Sequence, residues 1–275
     1  RYLLRQRLNI WLGESDADFA VREPFGLDYF ARDDLRALSL QTRLHGQPAN
    51  DALLLAEAHG WLPHGEFGGA LHAREDAVAE QLAAQLLPQL PETVLDPLPL
   101  DFAADGMRLV GWLDKTSAEG LIEYTLHGIK PRELFALWLR HLVLCHLKPP
   151  GVALHSRLIA ADSTVHFVAV AHPEHELAKL LNYYWQGLCA PLPFFVKSSY
   201  AYASLAGKDR YAALKAAHKI WDEPAFRNGD FRGESENVYY LAVYRGTSSD
   251  PLDARFEEVA LELLEPMQNA MGEES

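Results

Sequence analysis

Positive charge is in short supply in this chain: 25 lysines and arginines stand against 38 aspartates and glutamates, a net of −13. A protein that coats nucleic acid nonspecifically needs a basic surface, so that class is excluded. A local DNA channel, or burial against a more basic partner, is not. Cysteine is nearly absent. Cys145 and Cys189 both sit among apolar residues and read as reduced core thiols of a cytoplasmic protein rather than a disulfide. Long apolar runs are missing too: no apolar run reaches the roughly 18 residues that a transmembrane helix needs, which excludes one. The chain opens at Arg1 with neither a methionine nor a signal-like segment, and "RYLLRQRLNIWL" reads as the middle of an amphipathic element. We expect a piece of a longer polypeptide.

What is present is a globular composition, 49% hydrophobic and 23% charged over 275 residues. Residues 1–92 read as a helical lead-in. "RDDLRALSLQTRLHG" has helical spacing and stops at Gly46; "ANDALLLAEAHG" takes Asn50 or Asp51 as its cap and ends at Gly60. "EDAVAEQLAAQLLPQL" is a third helix broken at Pro88, and "GWLPHGEFGGALH" between them reads as a Gly/Pro/His loop. Residues 93–275 read as a mixed α/β domain. A β-meander turns at Asp105-Gly106 and Glu119-Gly120, and a nearly all-apolar helix runs from Pro131 to Pro149-Pro150-Gly151. Two strands follow around Ala161-Asp162-Ser163-Thr164, then an amphipathic helix with Leu177, Leu180, Leu181, Tyr184, Trp185 and Leu188 on one face. Further helices lie around "KDRYAALKAAHKIW" and near residues 252–265.

One pattern carries chemistry. "GMRLVGWLD" ends a strand on Asp114, and the next strand opens on Glu123-Tyr124-Thr125. Metal-dependent nucleases place an acid on one strand and acid-x-lysine on its neighbour, where alternate side chains share a face. The acids hold a divalent Lewis acid, and the lysine positions water and stabilises charge on the phosphate. Here Glu123 and Thr125 share a face, but Thr125 brings no positive charge. The pattern therefore reads as a vestigial site at Asp114, Glu123 and Thr125, with no metal and no catalytic residue. The rival reading is an active nuclease that uses Asp114, Glu123 and a displaced Lys130. Other candidates are weaker. His172 and His175 lack metal-ligand spacing and read as a helix start; Cys145-His146 reads as core; His64 and Glu66 read as a structural turn. Cations gather at Arg1, Arg5 and Arg7, and again at Lys208, Arg210, Lys215 and Lys219, near Tyr200, Tyr202 and Tyr211, which suit base stacking. "PLPFFVKSSYAYASL" adds Lys197 and reads as a rigid segment with an exposed aromatic and basic surface. Lys197, Lys208 and Arg210 are the DNA-contact candidates.

Several stretches together resemble the C-terminal region of the RecC family, the gamma chains of the bacterial exodeoxyribonuclease V (RecBCD) complexes. They are "RYLLRQRLNIWL", "GWLPHGEFG", "RLVGWLD", "LFALWLRHLVLC", "PLPFFVKSSYAYA" and "VYYLAVYRGTSSDPLDARFEEVALELLEPM". The resemblance implies a restriction-endonuclease-like, PD-(D/E)xK core that is catalytically degenerate. It implies a non-catalytic structural and DNA-guiding role in double-strand break repair and recombination, docking onto the RecD helicase and helping to separate strands. The implied partners are RecB-like and RecD-like subunits and double- and single-stranded DNA at a fork, in the cytoplasm and without a membrane. No cofactor is expected, since two cysteines are too few for the iron–sulfur cluster of related helicase-nucleases.

Overall fold

Three helices lead the chain in: α1 (Tyr29–Leu44), α2 (Ala49–Ala58) and α3 (Glu66–Leu86). The computed structural model of the protein describes residues 29–222, 233–244 and 250–272, together with Asn9 and Leu27. The opening cations Arg1, Arg5 and Arg7 lie outside the described residues. α2 starts one residue before Asn50, with Pro48 at the cap position and no capping side chain, so neither Asn50 nor Asp51 is the cap. α3 begins nine residues earlier than its Ala/Leu-rich run, within the stretch expected to be a loop. Gly68 permits this: a Cβ there would stand 2.0 Å from the Pro63 carbonyl oxygen, so only glycine lets the helix start against that turn. Glu66 is then the first residue of α3, where a carboxylate meets the positive end of the helix dipole. α1 and α3 are laced by Arg36–Glu75 and Arg43–Asp76, each at 2.6 Å.

The strands are β1 (Leu98–Ala104), β2 (Met107–Leu113), β3 (Thr116–Ser117), β4 (Gly120–Tyr124), β5 (Ser156–Ile159) and β6 (Thr164–Phe167). β1 and β2 pair antiparallel around a turn in which Asp105 and Gly106 have φ of 50° and 76°, the left-handed pair a tight hairpin demands. The expected continuous meander is interrupted after β2. Lys115 takes a φ of 56°, and the chain passes from the two-stranded sheet into a second sheet of order β3-β4-β5-β6. β4 and β5 pair in parallel, joined by the crossover helix α4 (Pro131–Leu147), while β5 and β6 form a hairpin. α5 (Pro173–Cys189), α6 (Val196–Ala206), α7 (Arg210–Trp221), α8 (Val238–Tyr244) and α9 (Ala254–Asn269) complete the described chain.

The pleat of the sheet sorts its residues to two sides. Leu121, Leu158 and Phe167 join Leu137, Trp138, Leu142 and Leu144 of α4 and the apolar stripe of α9. Ile122 and Ile159, one residue out of step, join Leu40, Ala79, Leu82 and Leu86 of α1 and α3. Helices thus cover both faces, as a parallel β-α-β unit requires, and the lead-in helices share a core with the sheet. A third cluster gathers Phe195, Tyr202, Ala213, Ala217, Trp221 and Phe256 from α6, α7 and α9. This corrects the reading of "PLPFFVKSSYAYASL" as an exposed aromatic surface. Phe195 and Tyr202 are buried, Phe194 packs 5.5 Å from Phe135, and of the cations and rings only Lys197 is fully outside. On α5 the expected stripe is also wrong at two places. Tyr183 is the buried ring, while Tyr184 and Trp185 are 53% and 55% exposed. Cys189 closes α5 exposed, so it is not a core thiol.

Candidate functional site

β4 and α4 face each other across the sheet, and that packing decides what surrounds the acid pair. Glu123 shares the Leu121 side of the pleat, toward α4. Arg140 stands on α4 opposite it and donates from Nη1 to Glu123 Oε1. The other nitrogen, Nη2, donates to Asp114 Oδ1 at 2.5 Å and to the Asp114 carbonyl oxygen at 2.6 Å. Asp114 follows β2 at the step between the two sheets. One guanidinium therefore joins both carboxylates, and its planar fork suits that bridging geometry. Two carboxylates and one cation leave a net charge of −1, with a fixed side chain where a divalent ion would have to sit.

The lysine slot is filled just as differently. β4 opens at Gly120 and ends at Tyr124, so Thr125 lies one residue past the strand that was expected to open on Glu123; its hydroxyl donates to Glu133 Oε1 at 3.4 Å, a weak contact with an acid rather than a cation. Lys130 caps the start of α4, where its backbone N–H donates to Glu133 Oε2 at 3.0 Å. Arg140 lies almost three turns along the same helix, about 15 Å of axial rise from Lys130. Lys130 is exposed, and Glu133 links its backbone to Thr125. Among the described residues, no group of three or more His, Cys, Asp or Glu side chains could hold a metal.

Beneath this site α4 carries a buried histidine that sequence reasoning did not single out. His141 Nδ1 pairs with Ser156 Oγ at 2.8 Å and Nε2 with the Val168 carbonyl oxygen at 2.9 Å. Burial pulls its pKa down to about 4. Cys145, one turn on, approaches His141 Nε2 at 3.4 Å, yet burial pushes the thiol up and away from a nucleophilic thiolate. These groups tie α4 to β5 and the segment after β6. His146 instead meets the Phe102 ring edge at 5.0 Å.

The DNA-contact candidates are spread over the α6–α7 hairpin. Lys197 is exposed in the first turn of α6, but the end of that helix is closed by Glu234. The Glu234 carboxylate accepts from Lys197 N at 3.1 Å, Ser198 N at 2.7 Å and Ser198 Oγ at 2.8 Å. Arg210 is committed to Glu257 through two contacts of 2.6 Å, and the Tyr202 hydroxyl donates to the same carboxylate at 2.5 Å. Lys208 is exposed between the helices. Tyr202 is core and cannot stack on a base, whereas Tyr211 is 79% exposed.

Arg140 is the residue missed. The signal was a lone cation inside "LFALWLRHLVLC", a run otherwise apolar except for the neighbouring histidine. A charge kept in so apolar a helix needs a partner.

The described residues thus form a mixed α/β fold in which one guanidinium joins Asp114, just after β2, to Glu123 on β4. A family model described as the RecC C-terminal domain matches residues 1–206, and the chain belongs to that family. It is similar to the RecBCD enzyme subunit RecC of Escherichia coli (strain K12), at 24% identity over 269 residues, covering 94% of this chain and 23% of that protein. The chain thus spans about a quarter of the length of that relative.

Proposed function

We propose that this chain is a non-catalytic structural and DNA-guiding domain of a RecBCD-type helicase-nuclease complex in double-strand break repair and recombination. In this reading it docks onto a RecD-like helicase, contacts a RecB-like subunit and helps to separate strands at a fork, in the cytoplasm. The observation that carries the reading is Arg140, whose guanidinium joins Asp114 and Glu123 where a nuclease would hold its metal. A restriction-endonuclease-like core, catalytically degenerate, is supported by the strand positions. Asp114 follows β2, Glu123 lies on β4 with Thr125 one residue past its end, and α4 crosses over to the parallel strand β5. Docking is supported by adjacent exposed rings at Tyr184 and Trp185 and by α8, which is apolar yet buries none of its residues. DNA guidance is supported by the cationic α6–α7 hairpin. Among the described residues no helix is long and apolar enough to cross a membrane. The rival nuclease would need Lys130 to act on Asp114 and Glu123, whose carboxylates Arg140 already holds.

Incubated with linear duplex and single-stranded DNA in Mg²⁺ or Mn²⁺, the chain is expected to leave both intact, because Arg140, the cation at the acid pair, is already held by both carboxylates. Cleavage that disappears in Asp114→Ala would overturn the non-catalytic reading.

A further inference from the structure

Charge is segregated along this chain. Residues 190–221 hold five lysines and arginines and one acid, a net of +4, while the rest holds 20 cations and 37 acids, a net of −17. The single acid of the segment, Asp209, is spent on the α7 N-cap, accepting from Tyr211 N at 2.9 Å and Ala212 N at 3.1 Å. Within the segment the cations are not equivalent. Arg210 is held in the fork of Glu257, and the helix end beside Lys197 is closed by Glu234. Lys208, Lys215 and Lys219 are exposed and make no ion pair among the described residues.

Resting on the DNA-guiding reading above, we propose that one face of α7, formed by Lys208, Tyr211, Lys215 and Lys219, is the contact for a single nucleic-acid strand. Tyr211, Lys215 and Lys219 recur every four residues, so they stand in one row about 6 Å apart along the axis, with Lys208 just before its start. An ordinary solvated helix face alternates lysines with acids at that spacing; this one has no acid between its caps. Tyr211 has the most exposed large apolar side chain among the described residues, while Phe195, Tyr202 and Trp221 of the same hairpin turn inward. A ring held outward between cations offers a stacking platform flanked by phosphate contacts, the pairing that single-strand sites use. The row ends where Asp222 and Asp250 gather around His218, at 3.9 and 3.3 Å.

The test is fluorescence anisotropy of a dye-labelled oligothymidylate with the full 275-residue chain across a salt series. The triple variant Lys208→Ala, Lys215→Ala, Lys219→Ala should bind more weakly, with a log–log salt slope shallower by about 2. Tyr211→Ala should weaken binding about tenfold, and Tyr211→Phe should retain it. If the triple variant binds like the parent while Lys197→Ala with Arg210→Ala abolishes binding, this surface is wrong and DNA guidance stands. A parent chain that binds no oligonucleotide at low salt removes both. Equal binding of polyglutamate, with an oligonucleotide affinity insensitive to Tyr211→Ala, would make the face a generic anion or acidic-peptide surface and overturn the proposal.

Discussion

At the scale of single residues, α4 shows how two polar groups are kept in an apolar helix by opposite means. Arg140 stays charged and reaches the rim, where two carboxylates and a backbone carbonyl accept from it. His141, the next residue, points into the core and stays neutral between Ser156 and Val168. Its neutrality has a pH consequence. Folded, it titrates at about 4, below the ordinary histidine value, so the unfolded chain binds the proton first as pH falls. The stabilisation is complete above about pH 6.5 and is lost progressively down to about pH 4. From pH 7.5 to 5 this histidine alone should remove about 2 kcal/mol. Urea midpoints of the parent and His141→Gln across that range test the point: the variant should start lower and lose less. Equal slopes for the two would contradict it.

At the scale of elements, the junction that presents Glu123 to α4 depends on backbone approach. Gly120 opens β4 with a φ of 98°, and a Cβ there would meet the His155 carbonyl oxygen at 2.0 Å and the Ala153 carbonyl oxygen at 2.8 Å. The β4–β5 pairing begins at that contact, where Leu121 N donates to His155 O at 3.0 Å. Gly120→Ala combines backbone strain with overpacking and should cost about 3 kcal/mol or more. Thermal unfolding measures it; Gly207→Ala, at a place with open space, should change little. Turns of this kind were legible, because Asp105-Gly106 and Glu119-Gly120 declare themselves by residue type. The early start of α3 was not. Two glycines and a preceding proline look like a loop until Pro63 is seen to lie against Gly68.

At the scale of the whole molecule, the described residues combine acidic surface, the cationic α6–α7 hairpin and exposed apolar side chains. Tyr184 and Trp185 are neighbours on α5, both more than half exposed, in a chain spanning about a quarter of its relative's length. Covering such rings favours association by about 25 cal/mol per Å² of apolar surface removed from water. Replacing both with serine should leave the melting temperature of the chain nearly unchanged and, on the docking role proposed above, weaken its capture by RecB-like and RecD-like subunits. An unchanged affinity in a pull-down titration would place the docking surface elsewhere.

Local pattern alone determined the alternation of helices and strands, the hairpin turns and the buried crossover helix, since each is set by neighbours within a few residues. It also singled out Asp114 and Glu123, the two acids that Arg140 joins. What it left undecided was every relation across the sheet. Phe195 and Tyr202 turn inward because α9 covers them, and Arg210 is neutralised by Glu257, 47 positions away. The cation that reaches the acid pair comes from Arg140, 17 positions beyond Glu123, because a parallel crossover lays α4 back over β4. Periodicity says which side of an element is apolar; only packing says which charge on the facing element arrives there.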